Sequence, residues 1–156
     1  MGFEAFFRIE HPKLVALALA MVGDRDAARE LAQEALARAY RSWSTVSAYD
    51  VPGAWVRRVL MNLVADRHRR AASERRALDR LDPSRTHYEP PEPFDADWRD
   101  AVRSLPDRQR AVVALYYLED RSVDDIASTL DIARGTVKAT LASAKRNLRR
   151  LLDEED

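Results

Sequence analysis

The feature that most constrains this 156-residue chain is the spacing of its apolar residues, which recur at intervals of three and four. That spacing places side chains on one face of an α-helix, whereas one-by-one alternation would indicate a β-strand, and no such alternation is present. The last 20 or so residues show it most clearly, with apolar side chains at Val137, Leu141, Ala144, Leu148 and Leu151. The sequence therefore predicts an all-α protein.

The pattern separates into two groups of helices. In the first group Pro12 is expected to kink or restart the opening helix, Gly23 to end it, and Asp24 to cap the next one. The predicted helices of this group cover about 3–22, 26–43 and 52–76. Those of the second group cover about 98–105, 107–118, 122–130 and 134–152.

The stretch between the groups differs in composition. Residues 77–97 contain Pro83, Pro90, Pro91 and Pro93 among acidic residues and few aliphatic ones, which is typical of a linker. We therefore predict two small helical domains, 1–76 and 98–152, joined by an acidic, proline-containing linker at 77–97. Residues 153–156 form an acidic tail.

Several functional classes are excluded by composition. The chain has no cysteine, four glycines and three histidines that lie far apart, so thiol catalysis, a glycine-rich phosphate loop and a metal site are not expected. No nucleophile–base constellation has motif support, and we predict neither an enzyme nor a cofactor. The longest apolar run has nine residues where a membrane span needs about 20. No secretory signal precedes it, so we expect a cytoplasmic protein without membrane insertion.

The formal net charge is zero, but the charges are distributed in blocks. Residues 51–76 and 135–152 each carry a net +5, while 77–100 carries −4 and 119–134 carries −3. Local fields govern the binding of polyanions more than the total charge does, so the two basic segments favour contact with nucleic acid. Solvated helix faces remain the alternative explanation for either segment alone.

The second basic segment lies in a helix-turn-helix pattern, with a short helix capped by Ser122, a tight turn at 131–133 and a long helix. The second helix of such a unit enters the major groove with its N-terminal residues at base edges, and basic residues further along approach phosphates. The leading positions are Arg134, Thr136, Lys138 and Thr140, followed by Lys145 and Arg146. A helical hairpin with merely solvated charges would show the same inward spacing.

The first domain combines aromatic residues with a basic helix. Flat rings and cations are what unstacked bases of single-stranded DNA require, although a Trp taken alone is more typical of a small core. The candidate residues around and after the 44–51 loop are Trp43, Tyr49, Trp55, Arg58, Asn62, Arg69 and Arg70. A separate polar patch on the second helix, formed by Glu30, Gln33 and Glu34, is either a solvated face or a docking surface for a basic helix.

Taken in order, these motifs resemble the extracytoplasmic-function sigma factors, group IV of the sigma-70 family, in their actinobacterial form. The resemblance rests on Ala28 to Glu34, on Trp55 with Asn62, Asp66, Arg69 and Arg70, on Leu105 to Arg110, and on Gly135 to Lys138. It implies a sigma-2 helical bundle followed by a sigma-4 helix-turn-helix domain, in a protein that directs RNA polymerase to promoters and starts transcription.

The same resemblance implies the role of each candidate residue. Glu30, Gln33, Glu34 and Arg38 would bind the β′ clamp helices of core RNA polymerase. The aromatic and basic residues from Trp43 to Arg70 named above would capture flipped bases of the −10 element, and those from Arg134 to Arg146 would bind the −35 element. The β flap of the polymerase, promoter DNA and an anti-sigma factor are the further implied partners.

Two departures from the family pattern bear on the second domain. Asp131 stands where the turn usually has glycine, and 139–143 lacks the arginines usual there. Fewer phosphate contacts would weaken −35 binding.

Two alternative functions remain at this point. One is a stand-alone helix-turn-helix regulator that binds duplex DNA as a dimer without polymerase. The other is an interaction protein that occupies polymerase or an anti-sigma factor without initiating transcription.

Overall fold

The computed structural model describes residues 1–86 and 98–153, and within these residues it contains helices and their connections but no strand. The all-α prediction is confirmed for this part of the chain. The helices are α1 Phe3–Val22, α2 Arg25–Arg41, α3 Trp43–Val46, α4 Pro52–Leu81, α5 Trp98–Arg103, α6 Asp107–Val113, α7 Val123–Leu130 and α8 Arg134–Asp153. Helices α1–α4 are called the first lobe below, and α5–α8 the second lobe.

Helix α1 runs without interruption through Pro12, so of the expected kink or restart the restart is excluded. Proline removes one backbone donor and leaves the carbonyl four residues earlier without its usual partner. Pro12 is exposed, which places this defect on the side of the helix that water can reach.

The junction between α1 and α2 is as predicted. Gly23 adopts a left-handed conformation with φ 74°, and its N–H donates to the carbonyl of Leu19 at 2.8 Å. The guanidinium of Arg103 lies where a Cβ at this position would be, but as the end of a flexible, exposed side chain it can move aside, so the left-handed backbone is the main reason for glycine. Asp24 then caps α2 by accepting a 3.0 Å hydrogen bond from the N–H of Ala27.

Two helix ends differ from prediction. Helix α2 ends at Arg41 rather than Trp43, and part of the expected 44–51 loop forms the short helix α3. Helix α4 continues to Leu81 rather than Arg76, because residues 77–81 are good helix formers and the break comes only at Asp82, before Pro83. The helix therefore includes the first five residues of the predicted linker. Of the rest of that linker, residues 82–86 are described and residues 87–97 lie outside the described residues. Asp153, predicted as the first residue of the acidic tail, ends α8 instead, and tail residues 154–156 lie outside the described residues.

Helix α6 does not continue as an α-helix to Leu118 as expected. From Ala114 to Leu118 it widens into one π-helical turn, whose end is marked by a 3.2 Å hydrogen bond from the N–H of Glu119 to the carbonyl of Ala114. A π turn accommodates one extra residue and shifts the following side chains around the helix axis. Glu119, just after it, is turned inward and its side chain is 7% exposed.

The two lobes pack directly against each other. One hydrophobic cluster contains Leu17 and Met21 of α1, Val64 of α4, and Leu115 and Ile126 of the second lobe. A smaller cluster inside the second lobe joins α5, α6 and α8. The apolar helix faces that the sequence pattern identified therefore pack across the boundary between the lobes as well as within each lobe. None of the described helices has the length and hydropathy needed to cross a membrane.

Candidate nucleic-acid and polymerase interfaces

The polar patch on α2 lies on the side of the helix that faces away from the core. Ala28, Ala32 and other alanines of α2 are fully buried, while Glu30 and Gln33 are exposed. The carboxylate of Glu34 pairs with the Nε of Arg38 one turn later at 3.1 Å, and both side chains are about half exposed. The four predicted residues thus form one continuous polar surface, in which Arg38 neutralises part of the acidic charge.

Trp43 lies in an aromatic cluster rather than in solvent. Its ring centroid is 4.9 Å from that of Phe6 and 5.5 Å from that of Phe3, the latter in an edge-on arrangement. The ring centroid of Tyr40 also lies 5.0 Å from that of Phe3. These contacts fix α3 against the start of α1, so Trp43 positions the neighbouring loop, and part of its ring stays exposed.

The two other aromatic candidates differ in exposure. Tyr49 lies in the loop between α3 and α4 and is 46% exposed. Trp55 is in the first turns of α4, partly buried against the main hydrophobic cluster. Tyr49 is therefore free to stack on a base, while Trp55 presents only part of its ring.

The polar candidates on α4 follow one another along the helix towards the second lobe. The guanidinium of Arg58 donates to the backbone carbonyl of Ser128 in α7. Asn62, one turn later, lines a groove between the lobes together with Met21, Asp107 and Leu130. Both side chains therefore lie beside the second lobe, and both are exposed.

The last two candidates of the first lobe lie on the exposed side of α4. Arg69 pairs with Asp66 one turn earlier, and its side chain is 71% exposed. Arg70 is also exposed. Both guanidinium groups can reach a phosphate without rearrangement of the backbone.

The second lobe contains the predicted helix-turn-helix unit. Ser122 caps α7 by accepting a 3.1 Å hydrogen bond from the N–H of Asp125, which confirms the predicted cap. Asp131 ends α7 in the left-handed conformation, with φ 55° and ψ 49°. Ile126 and Val137 are fully buried and hold α7 against α8.

The leading end of α8 has an uneven surface. The Nε of Arg134 lies 3.3 Å from the carboxylate of Asp124 at the start of α7, and Lys138 is exposed. Thr136 and Thr140 are half-buried and line a shallow groove with Pro106. Because these threonines and the alanine between them are small, a DNA backbone can approach α8 closely along this groove.

The basic residues further along α8 are exposed. Lys145 points to solvent, and Arg146 donates a 3.1 Å hydrogen bond to the hydroxyl of Ser143. The opposite face of the helix carries Leu141 and Ala144, which are buried. The structure therefore places the two predicted phosphate-binding residues on the solvent side of α8.

Sequence reasoning missed the polar residues that join the lobes. Arg57 is 1% exposed and contacts Glu10 in its own lobe and Glu119 in the other. The Nδ1 of His68 lies 3.2 Å from the carboxylate of Asp107, also across the lobes. The only available signal was the position of Arg57 between Trp55 and Leu60, on a helix face that is otherwise apolar.

Among the residues that the structure describes, no group of three or more His, Cys, Asp and Glu side chains is arranged to hold a metal ion.

Two family profiles match the chain in order. Residues 6–74 match Sigma-70 region 2, and residues 96–148 match the profile described as Sigma-70, region 4. The first match covers α1 to most of α4, and the second covers the helix-turn-helix lobe. They correspond to the two lobes defined above.

Relatives match along most of their own length. The RNA polymerase sigma-E factor of Streptomyces coelicolor is 32% identical over 157 aligned positions, which cover 100% of this chain and 89% of that protein. The ECF RNA polymerase sigma factor SigM of Mycobacterium tuberculosis is 32% identical over 97% of this chain and 77% of its own length.

Solved structures share the fold. The sigma factor RpoE of Bartonella quintana, crystallised with the anti-sigma factor NepR, superposes with a TM-score of 0.78 at 24% identity, covering 97% of this chain and 96% of that one. CnrH, in complex with the cytosolic domain of CnrY, gives a TM-score of 0.69 at 21% identity over 99% and 89% of the two chains.

Proposed function

This chain belongs to the extracytoplasmic-function sigma factors, and we propose that it binds core RNA polymerase, recognises promoter DNA and starts transcription. The observation that carries the proposal is the presence of both family regions, in order, over most of one chain. Its role is that of a non-enzymatic initiation factor acting in the cytoplasm, where bond formation belongs to the polymerase.

Core polymerase is proposed to bind the polar surface of α2. Glu30, Gln33 and Glu34 offer acceptors in a row along one helix face, with Arg38 at its end. A helical coiled coil with basic residues, such as the family resemblance implies for the β′ clamp helices, complements that charge. The second lobe would bind the β flap.

The −10 element is proposed to bind the loop before α4 and the exposed side of α4. Tyr49 supplies an exposed ring, Asn62 a hydrogen-bonding amide, and Arg69 and Arg70 supply phosphate contacts. Trp55 and Arg58 border this surface. Trp43 acts through its packing on Phe3 and Phe6, which holds the loop in place.

The −35 element is proposed to bind α8 in the major groove. Arg134, Thr136, Lys138 and Thr140 lie at the leading end, where the helix-turn-helix geometry brings side chains to base edges. Lys145 and Arg146 lie on the solvent side further along and are placed for phosphates. The ion pair between Arg134 and Asp124 would have to open for Arg134 to reach a base.

An anti-sigma factor is the proposed regulatory partner. The RpoE of Bartonella quintana, which shares this fold, was crystallised with one. A sigma factor that carries two DNA-binding surfaces on separate lobes can be silenced by a protein that covers either of them.

The test is transcription in vitro with core RNA polymerase purified from the source organism, sheared genomic DNA and mapping of the 5′ ends. We expect discrete start sites that share two upstream elements. An absence of transcripts with continued co-elution with core polymerase would point to an interaction protein. An absence of both would favour the stand-alone duplex-binding regulator.

A further inference from the structure

The residues of α4 that are proposed to meet the −10 element form one row along the helix. They follow each other at intervals of three, four and seven residues, as Trp55, Arg58, Asn62 and Arg69. At 100° per residue these intervals keep all four in a sector about 60° wide around the helix axis. The row therefore defines one side of α4, which we call the promoter row.

The same side of α4 continues past the residues that already have a proposed role. Intervals of four, three and four after Arg69 lead to Ser73, Arg76 and Arg80, all three of which are exposed. The helix reaches Leu81, whereas the match to Sigma-70 region 2 ends at residue 74. Arg76 and Arg80 thus extend the promoter row beyond the part of the chain that the family profile covers.

The end of α4 carries a strong positive charge. Between residues 67 and 81 there are six arginines and two acids, Glu74 and Asp79, a formal net +4 with His68 neutral. Charge of this density on an exposed helix favours contact with a polyanion. A guanidinium also presents a planar set of donors that matches the oxygens of a phosphate.

The length of the row fits duplex DNA. A rise of 1.5 Å per residue separates Arg69 from Arg80 by about 16 Å along the axis, and a DNA strand rises 3.4 Å per base pair, so the row spans about five base pairs. Residues 54–81 contain neither glycine nor proline, and the helix is continuous over them. The spacing between its arginines is therefore fixed by the helix.

The direction of α4 indicates which part of a promoter its end would meet. This step rests on the proposed function, in which the start of α4 meets the melted −10 element and the second lobe binds the −35 element. The chain passes from the end of α4 at Leu81 through the linker to the second lobe at Trp98. The DNA between the two elements is double-stranded, and it lies on the side towards which α4 runs.

We propose that Arg76 and Arg80 bind phosphates of the duplex immediately upstream of the −10 element, as a continuation of the promoter row. Contacts with phosphates carry no sequence information but fix the position of a protein along DNA. These two arginines hold the duplex edge in register, so that the residues earlier in the row meet the melted bases.

The variant that tests this site combines Arg76→Gln with Arg80→Gln. The matched control combines Arg67→Gln with Arg75→Gln, which removes the same charge from exposed positions at least about 100° away from the row on the same helix. Glutamine and arginine have nearly equal helix propensities, so all variants should keep α4. Thermal unfolding followed by circular dichroism checks that they do.

The measurement is the affinity of holoenzyme, assembled from core polymerase and each variant, for a fork-junction fragment of a promoter mapped as above. Each phosphate contact with duplex DNA contributes about 0.9 to the slope of log affinity against log salt concentration. We expect the Arg76 and Arg80 variant to lower this slope by about 1.8, so that wild type loses about tenfold more affinity than the variant between about 50 and 200 mM salt. The control variant should keep the wild-type slope.

A single-stranded −10 oligonucleotide separates the duplex contact from the melted element. It has no upstream duplex, so we expect wild type and both variants to bind it equally. The proposal is overturned by an unchanged slope in the Arg76 and Arg80 variant on the fork-junction fragment, or by an equal fall in the control. An equal loss on the single-stranded oligonucleotide would also overturn it, because the contact would then be with the melted strand.

Failure of the proposed function gives a different result. If wild-type holoenzyme neither binds the fragment nor transcribes, the proposed function fails, and the same comparison is made with the free chain on a random-sequence duplex. A lower slope in the Arg76 and Arg80 variant alone would then support phosphate binding by these two arginines. Equal slopes in wild type and both variants would refute it.

Discussion

The guanidinium of Arg110 donates a 2.7 Å hydrogen bond to the backbone carbonyl of Met21, so the first turns of α6 cap the last turn of α1 in the other lobe. The same side chain donates to the carbonyls of Arg103 and Leu105, at 2.5 and 3.0 Å. The end of a helix leaves carbonyls without partners inside the helix, and here a residue 89 positions away supplies one. Desolvation by burial lowers the pKa of Arg110, with Asp107 acting in the opposite direction.

Replacing this residue should weaken the whole fold. Arg110→Met keeps the apolar stem but removes the donors to three carbonyls, which we expect to lower the free energy of unfolding by about 1–3 kcal/mol. Urea unfolding followed by circular dichroism measures the loss. An arginine stays charged even when burial lowers its pKa, so the loss should be the same from about pH 5 to 9.

The control for Arg110 is Arg108→Met, an exposed arginine on the same helix. Its expected effect is within about 0.5 kcal/mol of wild type. Equal losses in the two variants would show that the contact with Met21 contributes nothing specific.

The turn of the helix-turn-helix unit should be sensitive to the residue at 131. A left-handed backbone costs most residues about 1–2 kcal/mol, and Asp tolerates it better because its side chain is short and polar. Asp131→Ala is expected to lower the free energy of unfolding by about 1 kcal/mol, while Asp131→Gly and Asp131→Asn keep it or raise it. Thermal unfolding of the three variants side by side decides this, and an alanine variant as stable as the glycine one would contradict it.

The α2 surface should control assembly with core polymerase. Combining Gln33→Ala with Glu34→Lys reverses the charge of this exposed face and frees Arg38, without touching the buried alanines beneath. We expect the dissociation constant for core polymerase to rise about tenfold, which corresponds to about 1.4 kcal/mol. Fluorescence anisotropy of the labelled chain measures it.

A matched control for this surface is Glu4→Lys on α1. Glu4 forms the same kind of exposed pair with Arg8, one turn along its helix. It lies outside the proposed interface, so affinity should not change. A similar loss in both variants would mean that net charge, rather than the α2 surface, governs assembly.

The loop before α4 should be needed for promoter opening but not for polymerase binding. Tyr49→Ala with Asn62→Ala removes one exposed ring and one exposed amide, and a stacked base is worth about 1–3 kcal/mol. We expect the double variant to co-elute with core polymerase yet lose permanganate reactivity at the −10 thymines. Trp55→Ala, by contrast, should also lower thermal stability, because Trp55 packs against the core.

Tyr117→Ala is the control for that loop, since Tyr117 is a similarly exposed tyrosine in the second lobe, 49% against 46%. Wild-type permanganate reactivity is expected for it. Undiminished melting in the Tyr49 and Asn62 variant would remove both residues from the proposed −10 interface.

Local chemistry made much of this fold predictable. Intervals of three and four define the helices, and the caps at Asp24 and Ser122 use side chains that bond to the backbone within three residues. The left-handed residue at Asp131 was likewise visible as a turn. Each of these features depends on neighbours in sequence, which is why no tertiary information was needed.

Distant contacts decided the features that were mispredicted or missed. Trp43 was expected to end α2 but instead begins the short helix α3, because its ring packs on Phe3 and Phe6, about 40 positions earlier in the chain. The extension of α4 beyond Arg76 is the exception, because its cause is local: residues 77–81 favour helix and Pro83 follows only after Asp82. The π turn before Glu119 has no local signature, and it turns that carboxylate towards α4.

The sequence by itself determined that this chain is helical, that it forms two lobes, and which residue types each lobe offers to polymerase and DNA. Only the tertiary structure decided that the lobes lie against each other and that Arg57 is buried between Glu10 and Glu119. The reason is that helix spacing reports which face is apolar but not what covers it. A buried arginine on such a face needs a partner of opposite charge. For Arg57 that partner is Glu119, which is 62 residues away in the chain.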